Sequence, residues 1–579
     1  MAIFFIGERQ KDFNQLQDTD LYYKAFSKKS TEMLLIGPKS LLYTSSTPIF
    51  KRSNAYEEYS PESNPDLEQI LRDSQNNFCA FQYFEKDNQK YITIASSRLG
   101  RPHLYFTKTS DGFCFSNDIR ELIPYTNKRL NLDAAYSIIK YGNTPEYITC
   151  ILNVFSVPLS SYLTILLDKL MGVDFIEMKE FRQYFHLKYT FEGGNIDNTE
   201  ELFGEIFDFV VKQDFIVPIS GGVDSTLINH MINVRTEKKY PAYFLSFGNG
   251  DNEINFAKEA VKNTKAELEV FSMHPDNFID AFGFQTKSLI QPIGETSAIS
   301  MAHIFRKMKY RNASIIDGTL GDGCYGTRNY NFSLTANVKR RSKFETWVNE
   351  NIASSLQLYN LPFNDRFFPR DSMINDMFLG YMNSFSGSLS NTIFSNAAQL
   401  NKKIYEYWKW YYTLIDNAGN QGDEWLKYVA FKMPSYGTTM QVKTYDLCSN
   451  GNQIIYPFIF REILIDQGKY SWADKSKNNI VKYPLKKILE KYVNKEFVHR
   501  RKVGLNSSLE DWMLYIDNKY FLIEYLNKDN SIAEIMIGRK NLQQLKKAFL
   551  KPKHHIMITN LIVSMANIQS WCDEHKVNP

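Results

Sequence analysis

The chain lacks any cysteine pair in CxxC spacing: Cys79, Cys114, Cys150, Cys324, Cys448 and Cys572 stand singly. That argues against a disulfide framework or a zinc knuckle and leaves reduced, buried thiols as the plain reading. A long apolar run is missing too. MAIFFIGERQKDF at the start offers about five apolar residues before charge intervenes, too few for a secretory leader, and no uncharged stretch reaches the roughly 18 residues that cross a bilayer. A cytoplasmic protein off the membrane is the expectation. Charge of one sign is also scarce: 68 Lys and Arg against 64 Asp and Glu leave +4 over 579 residues, too little to imply nucleic acid. No internal repeat or low-complexity linker stands out. What remains is a chain too long for one core, with an ordinary 43% hydrophobic content, which implies two or more folded domains.

Against this background FIVPISGGVDSTLINHM, from Phe215 to Met231, stands out. β-forming residues Phe215 to Ile219 run into Ser220-Gly221-Gly222, and helical spacing of Leu227, Ile228, Met231 and Ile232 follows. Strand, glycine turn and helix start make an anion cradle, because bare glycines admit a ligand to the backbone and the free amides of a helix start favour phosphate. The hydroxyls of Ser220, Ser225 and Thr226 would add donors. Asp224 contradicts a bare cradle: a carboxylate beside a polyphosphate is repelled unless a cation lies between them, so the residues ask for Mg²⁺. No lysine follows the glycines, so this is not GxxxxGK[ST].

Residues 1 to about 190 alternate short β-rich runs with turns: FFIG, MLLIG, FCAFQYFEKDNQKYITIA, HLYFTKTSDGFCFS and SYLTILLDKLMGVDFIEM. From about 200 the pattern alternates strand and helix. Strands are expected at Phe215–Ile219, Ala242–Phe247, Glu267–Phe271 and Ser314–Asp317, with helices from Ser225, over Glu253–Thr264 and over Ser297–Tyr310, making a parallel α/β sheet with ligands at the strand ends. After Thr327 the pattern is helical and aromatic, as in WKWYYTLI and WLKYVAF. ASIIDG running into TLGDGCYG gives a second glycine turn with its own acid, Asp322, so two turns of one sheet could share a magnesium. The stripe Leu542, Leu545, Phe549 reads as core, the Lys546 to His555 cluster as a solvated face, and His499 as a polar neighbour rather than a base.

SGGVDS resembles the signature of the PP-loop ATP pyrophosphatases, which hold the β,γ-pyrophosphate of ATP and cleave between the α and β phosphorus atoms. The second turn resembles the asparagine synthetase pattern SGxGxDExxGG. PFIFREIL, with Pro457-Phe458, is similar to that family's PF-D segment, and HRRKVGLNSSLEDWM to its R-x-K-x-G segment. ASSRLGRPHLYF, FSNDIREL and Thr149 to Leu163 resemble the glutaminase domain in the same order, so the resemblance spans most of 75–515 and points to the asparagine synthetase and β-lactam synthetase superfamily. It implies a degenerate, β-rich, Ntn-hydrolase-like α+β domain over 1–195 and a PP-loop α/β synthetase domain with a helical C-terminal part over 196–579.

The departures narrow this. The family's glutaminase uses an N-terminal cysteine whose own amine serves as base; here the chain reads Met1-Ala2-Ile3, and the family's Arg-Asp pair before the LG turn is Ser96-Ser97. Glutamine use is expected to be lost, as in β-lactam synthetases and lasso-peptide cyclases. The family's Glu three residues before the second acid is Thr319, and a hydroxyl is no base near neutral pH, which disfavours asparagine formation.

The resemblance thus implies a ligase that adenylates a carboxylate with ATP and Mg²⁺, the metal on Asp224 and Asp322, and captures it with an amine. Lys502 would meet charge developing on the acyl or α-phosphate oxygens. Ser220, Gly221, Gly222, Ser225, Thr226, Gly318 and Gly321 would line the phosphate side, Leu245-Ser246-Phe247-Gly248 the adenine, and Glu295, Thr319 and Tyr325 the acceptor side. Phe247 reads equally as core. Lactam or macrolactam formation on a small molecule or a peptide, the latter delivered by a partner protein, is the leading expectation. Ammonia-dependent amidation of a small acid or sugar uronate, a tRNA-modifying PP-loop enzyme and a non-catalytic ATP-binding protein stand as alternatives.

Overall fold

The computed structural model describes residues 2–7, 14–15, 21–25, 33–37, 40–45, 48–52, 55–58, 66–110, 112–145, 147–247, 253–326, 394, 400, 403–404, 407, 441–448, 451–500, 512–552, 554 and 556–579. WKWYYTLI, WLKYVAF, Gly248 and Lys502 lie outside them.

The N-terminal region is antiparallel β. Among the described residues one six-stranded sheet runs Phe155–Ser156, Tyr105–Thr109, Gly112–Ser116, Ala2–Gly7, Leu21–Ala25, Asn14–Gln15. A second runs Arg182–Gln183, Ser161–Leu166, Gln89–Ala95, Ala80–Lys86, Ser40–Thr44, Met33–Gly37. Their apolar faces meet: Phe4 of the first stacks on Phe81 of the second with centroids 4.3 Å apart, and Phe81 lies 5.3 Å from Phe115. FCAFQYFEKDNQKYITIA is a hairpin because Asp87 and Asn88 accept φ of +54° and +59°, the conformation a two-residue turn between twisted strands demands. SYLTILLDKLMGVDFIEM departs from expectation. Its strand stops at Leu166, and Leu167–Met171 turns helical so that Leu167 and Leu170 reach the core.

The following region is a parallel sheet in the order Ala266–Ser272, Tyr240–Ser246, Phe215–Pro218, Ser314–Ile316, Gln453–Ile455. Chain order runs outward one way from Phe215–Pro218 and then reverses, which leaves a crevice at the carboxyl ends of Phe215–Pro218 and Ser314–Ile316. Helices Val223–Asn233, Glu253–Val261 and Ser297–Lys307 connect the strands; the last ends three residues before the expected Tyr310. The C-terminal helices Ile516–Leu526, Ile532–Phe549 and Ile556–His575 pack together, and Leu542, Leu545 and Phe549 are buried as their spacing requires. None of the six cysteines is bridged; five are buried and Cys448 half-buried. Among the described residues no helix is long and apolar enough to cross a membrane.

Candidate active site

Both glycine turns open at the switch point. In the first, Gly221 takes φ +67°, and a Cβ there would come within 2.7 Å of Phe256 Cβ, so only glycine fits. Ser220 and Ser225 hydroxyls lie 3.0 Å apart, and Ser225 Oγ accepts from the Ser220 amide at 3.1 Å. They close the turn and keep the start of helix Val223–Asn233 toward the crevice. Thr226 does not join them. The helical period carries it inward, where it is fully buried with an unpartnered hydroxyl, so its expected place among the phosphate donors is not borne by the geometry.

The second turn is built around the first turn's acid. A Cβ on Gly321 would stand 2.5 Å from Asp224 Oδ1, and one on Gly318 would stand 3.3 Å from Asp224 Cβ. The absence of side chains at 318 and 321 is what admits the Asp224 carboxylate. Between these glycines Leu320 adopts φ +75°, a left-handed conformation costly for a branched side chain, and starts the short helix Gly321–Tyr325 that carries Asp322.

Asp224 and Asp322 meet at one ammonium. Lys482 Nζ contacts Asp224 Oδ2 and Asp322 Oδ1. Burial opposes charge on Nζ, but the two carboxylates outweigh it and raise its proton affinity above the ordinary lysine range. Lys482 itself has φ +58° and caps helix Tyr483–Leu489, whose start is set by Pro484. The sequence reading missed this lysine, because nothing local marked it as a partner for acids 160 residues or more away.

Asp224 Oδ1 is buried without a hydrogen-bond partner. No group of three or more His, Cys, Asp or Glu suited to a metal occurs among the described residues. Two carboxylates with a free oxygen still suit Mg²⁺, which takes one or two protein carboxylates and completes its shell with phosphate oxygens and water.

Arg500, the second residue of HRRKVGLNSSLEDWM, reaches the first turn: its guanidinium stacks 3.7 Å over the Phe256 ring and donates to Gly221 O. His499 pairs with Glu490 at 2.7 Å, a polar neighbour as expected.

The remaining candidates separate. Leu245 and Ser246 are buried at the end of the strand beside the first turn, and half-buried Phe247 packs 6.1 Å from Trp512, the core alternative. Thr319 sits at the crevice and donates its amide to Asp317 Oδ1 at 2.7 Å. Glu295 is half-buried and accepts from the Ser297 amide at 3.2 Å, at the start of helix Ser297–Lys307. Tyr325 is not on the acceptor side. It is fully buried, edge-on to Phe458 and Tyr470, with its hydroxyl 3.3 Å from Asp466 Oδ2. Burial, and then the Asp466 charge, raise its phenol well above the usual range, so it is a core hydroxyl.

A doubly wound sheet that presents a glycine turn, two acids and a lysine at its switch point defines a nucleotide-dependent α/β domain with an anion cradle. Residues 213–573, more than half of the chain, match the asparagine synthase family model, and the chain belongs to that family. It therefore carries an asparagine-synthase-like, ATP-dependent ligase domain, in a family that uses ATP and Mg²⁺. No curated protein matches the chain.

Proposed function

We propose that the protein is an AMP-forming carboxylate–amine ligase that takes its nitrogen from an amine and not from glutamine. The observation that carries this reading is the convergence of Asp224, Asp322 and Lys482 at the mouth of the first glycine turn, with Gly318 and Gly321 making the space. The amides after Gly221 would hold the pyrophosphate portion of ATP, and Ser220 and Ser225 would add hydroxyl donors. Asp224 and Asp322 would hold Mg²⁺, which when bound supplies charge neutralisation for the departing pyrophosphate. Lys482 would keep positive charge at the same place throughout. A substrate carboxylate displaces pyrophosphate from the α-phosphorus, and an amine then opens the acyl-adenylate to give an amide and AMP.

Independence from glutamine is supported by Ser96 and Ser97. Both are fully buried, Ser96 Oγ lying 3.4 Å from His103 Nδ1 and Ser97 Oγ donating to Gly100 O. The neighbouring Arg98 is spent on the carbonyls of Ser74 at 2.6 Å and Gln75 at 3.1 Å. At these two positions hydroxyls bonded within the protein stand where the family's Arg-Asp pair would hold an amino-acid substrate. The reading places a degenerate Ntn-hydrolase-like domain over 1–195 and the synthetase domain over 196–579. The amine we propose is the substrate's own, giving a lactam or a macrolactam on a peptide handed over by a partner protein. Chromatography of ATP products from protein incubated with ATP, Mg²⁺ and a protein-free metabolite extract tests the ligase reading. AMP and pyrophosphate are expected, and ADP as the main product overturns it. Glutamate released from glutamine above a heat-killed control overturns the nitrogen source.

A further inference from the structure

Beside the crevice, outside the acid pair, a second lysine stands among acids. Lys443, in the helical stretch Val442–Asp446, donates from Nζ to Ser297 Oγ at 2.7 Å. Ser297 opens helix Ser297–Lys307 two residues after Glu295, and Asp317 follows the strand Ser314–Ile316 that leads into the second glycine turn. The charges of Glu295 and Asp317 both act on the Lys443 ammonium. Burial lowers its proton affinity below the ordinary lysine range, and the two acids only partly offset that. Lys443 is thus near the carboxyl edge of the sheet, where this architecture binds substrates, and its neutral form is favoured more than a surface lysine's.

The stretch carrying Lys443 is held from the N-terminal region. Gln441 Oε1 accepts from the Arg101 amide at 3.0 Å, and Gln441 Nε2 donates to Leu99 O at 2.9 Å. The same amide fills the hollow over Gly100, where φ is +85° and a Cβ would meet Gln441 Nε2 at 2.3 Å. Three residues beyond Lys443, Asp446 Oδ2 accepts from Arg101 Nη2 at 3.2 Å and from the Ile290 amide at 3.3 Å. Anchors on both sides fix the backbone of Lys443 to the turn Leu99–Arg101.

We infer that Lys443 is the proton acceptor for the attacking amine, and that the N-terminal region holds it in place through Gln441 and Asp446. The inference rests on the ligase reading above. As the amine nitrogen bonds to the acyl carbon, the carbon–oxygen bond to AMP breaks and AMP leaves with the electron pair. The proton released by the nitrogen passes to neutral Nζ, and Glu295 and Asp317 balance the ammonium so formed. The N-terminal region, without glutamine chemistry, is then a positioning element for amide formation.

The test uses the full chain with ATP, Mg²⁺ and a protein-free metabolite extract as the source of carboxylate and amine, with and without added hydroxylamine, an amine already unprotonated at neutral pH. General-base assistance is worth about 10²–10⁴-fold. Lys443→Met is therefore expected to lose about 100-fold in AMP release without hydroxylamine and to recover to within a few-fold of wild type with it. Gln441→Leu should show the same rescuable loss, smaller in size, while binding ATP·Mg²⁺ like the wild type by calorimetry, which reports that the fold is intact. Equal losses with and without hydroxylamine, or no loss in either, overturn the inference. If wild-type protein gives ADP or no AMP, the ligase reading itself fails. Competitive acetylation with acetic anhydride across pH, read on the Lys443 peptide, still judges the lysine: its half-point should lie below the ordinary lysine range, and a half-point within or above that range overturns the inference.

Discussion

Removing the Lys482 ammonium without changing the shape of its side chain much, as in Lys482→Met, isolates what that charge does. The lysine is 7% exposed, and its partners Asp224 and Asp322 are 19% and 29% exposed, so water screens them only in part. At an effective dielectric near 20, a pair of unit charges about 4 Å apart interacts by about 4 kcal/mol. Discounted for partial exposure, loss of the ammonium leaves about 2–4 kcal/mol of uncompensated carboxylate repulsion and desolvation. The variant can relieve that cost by protonating one carboxylate or by binding a cation. Calorimetric titration with Mg²⁺ in the absence of nucleotide should therefore show at least about tenfold tighter binding to Lys482→Met than to wild type, a difference of about 1.4 kcal/mol. The variant's melting temperature should fall in EDTA and recover with Mg²⁺ more than the wild type's does. Its ATP turnover should be lost all the same. Identical Mg²⁺ affinities and melting temperatures for the two proteins would refute the view that Lys482 and the metal share one pair of carboxylates.

Asp224→Asn and Asp322→Asn should each lower AMP formation by more than about tenfold, roughly 1.4 kcal/mol, with little rescue by extra Mg²⁺; a variant that retains more has lost no metal ligand. Gly321→Ala places a methyl 2.5 Å from Asp224 Oδ1 and should abolish ATP·Mg²⁺ binding in calorimetry while far-UV circular dichroism stays unchanged. Lys502→Ala is expected to keep ATP·Mg²⁺ affinity within a few-fold and to lose on the order of 10²–10³ in turnover, whereas Arg501→Ala stays mild; equal, mild effects remove Lys502 from the site. His303 is held near 4 by burial first and then by Lys307, with Nε2 bonded to Ser272 O at 3.0 Å. Its folded pKa is depressed, so the unfolded chain takes up the proton first; this contribution to stability is full above about 6.5 and is lost as pH falls toward 4. His303→Gln should flatten acid unfolding over that window, and an unchanged profile would count against it.

The parts of the site readable from sequence are those where one short stretch encodes both conformation and chemistry. SGGVDS and GTLGDG each contain the glycines that make the turn and the acid that the turn presents, so the placement of Asp224 and Asp322 followed from local rules. Lys482 was invisible because its role depends on a fold that brings residue 482 onto two other turns; in the sequence it is one cation among 68. Thr226 and Tyr325 were misplaced. Each lies close past a site acid but ends buried: Thr226, two residues on, is turned about 200° from Asp224 to the inner face, and Tyr325, at the end of its short helix, is enclosed by Phe458 and Tyr470. The strands Tyr240–Ser246 and Ala266–Ser272 came out within two residues of expectation, the first as a buried apolar run and the second as the alternating pattern AELEVFS of a half-exposed edge strand. The order in which those strands lie, and with it the crevice, came from the structure.

The meeting of two early acids with a late lysine has a consequence for synthesis. Asp322 leaves the ribosome 160 residues ahead of Lys482, and at about 5–20 residues per second that interval lasts on the order of 10–30 seconds. Throughout it, docking of strand Ser314–Ile316 beside Phe215–Pro218 brings two carboxylates together with no ammonium between them. A cation from the surrounding solution would then be the available counterion. Lys482 then supplies from within the chain the charge that both carboxylates meet in the folded protein.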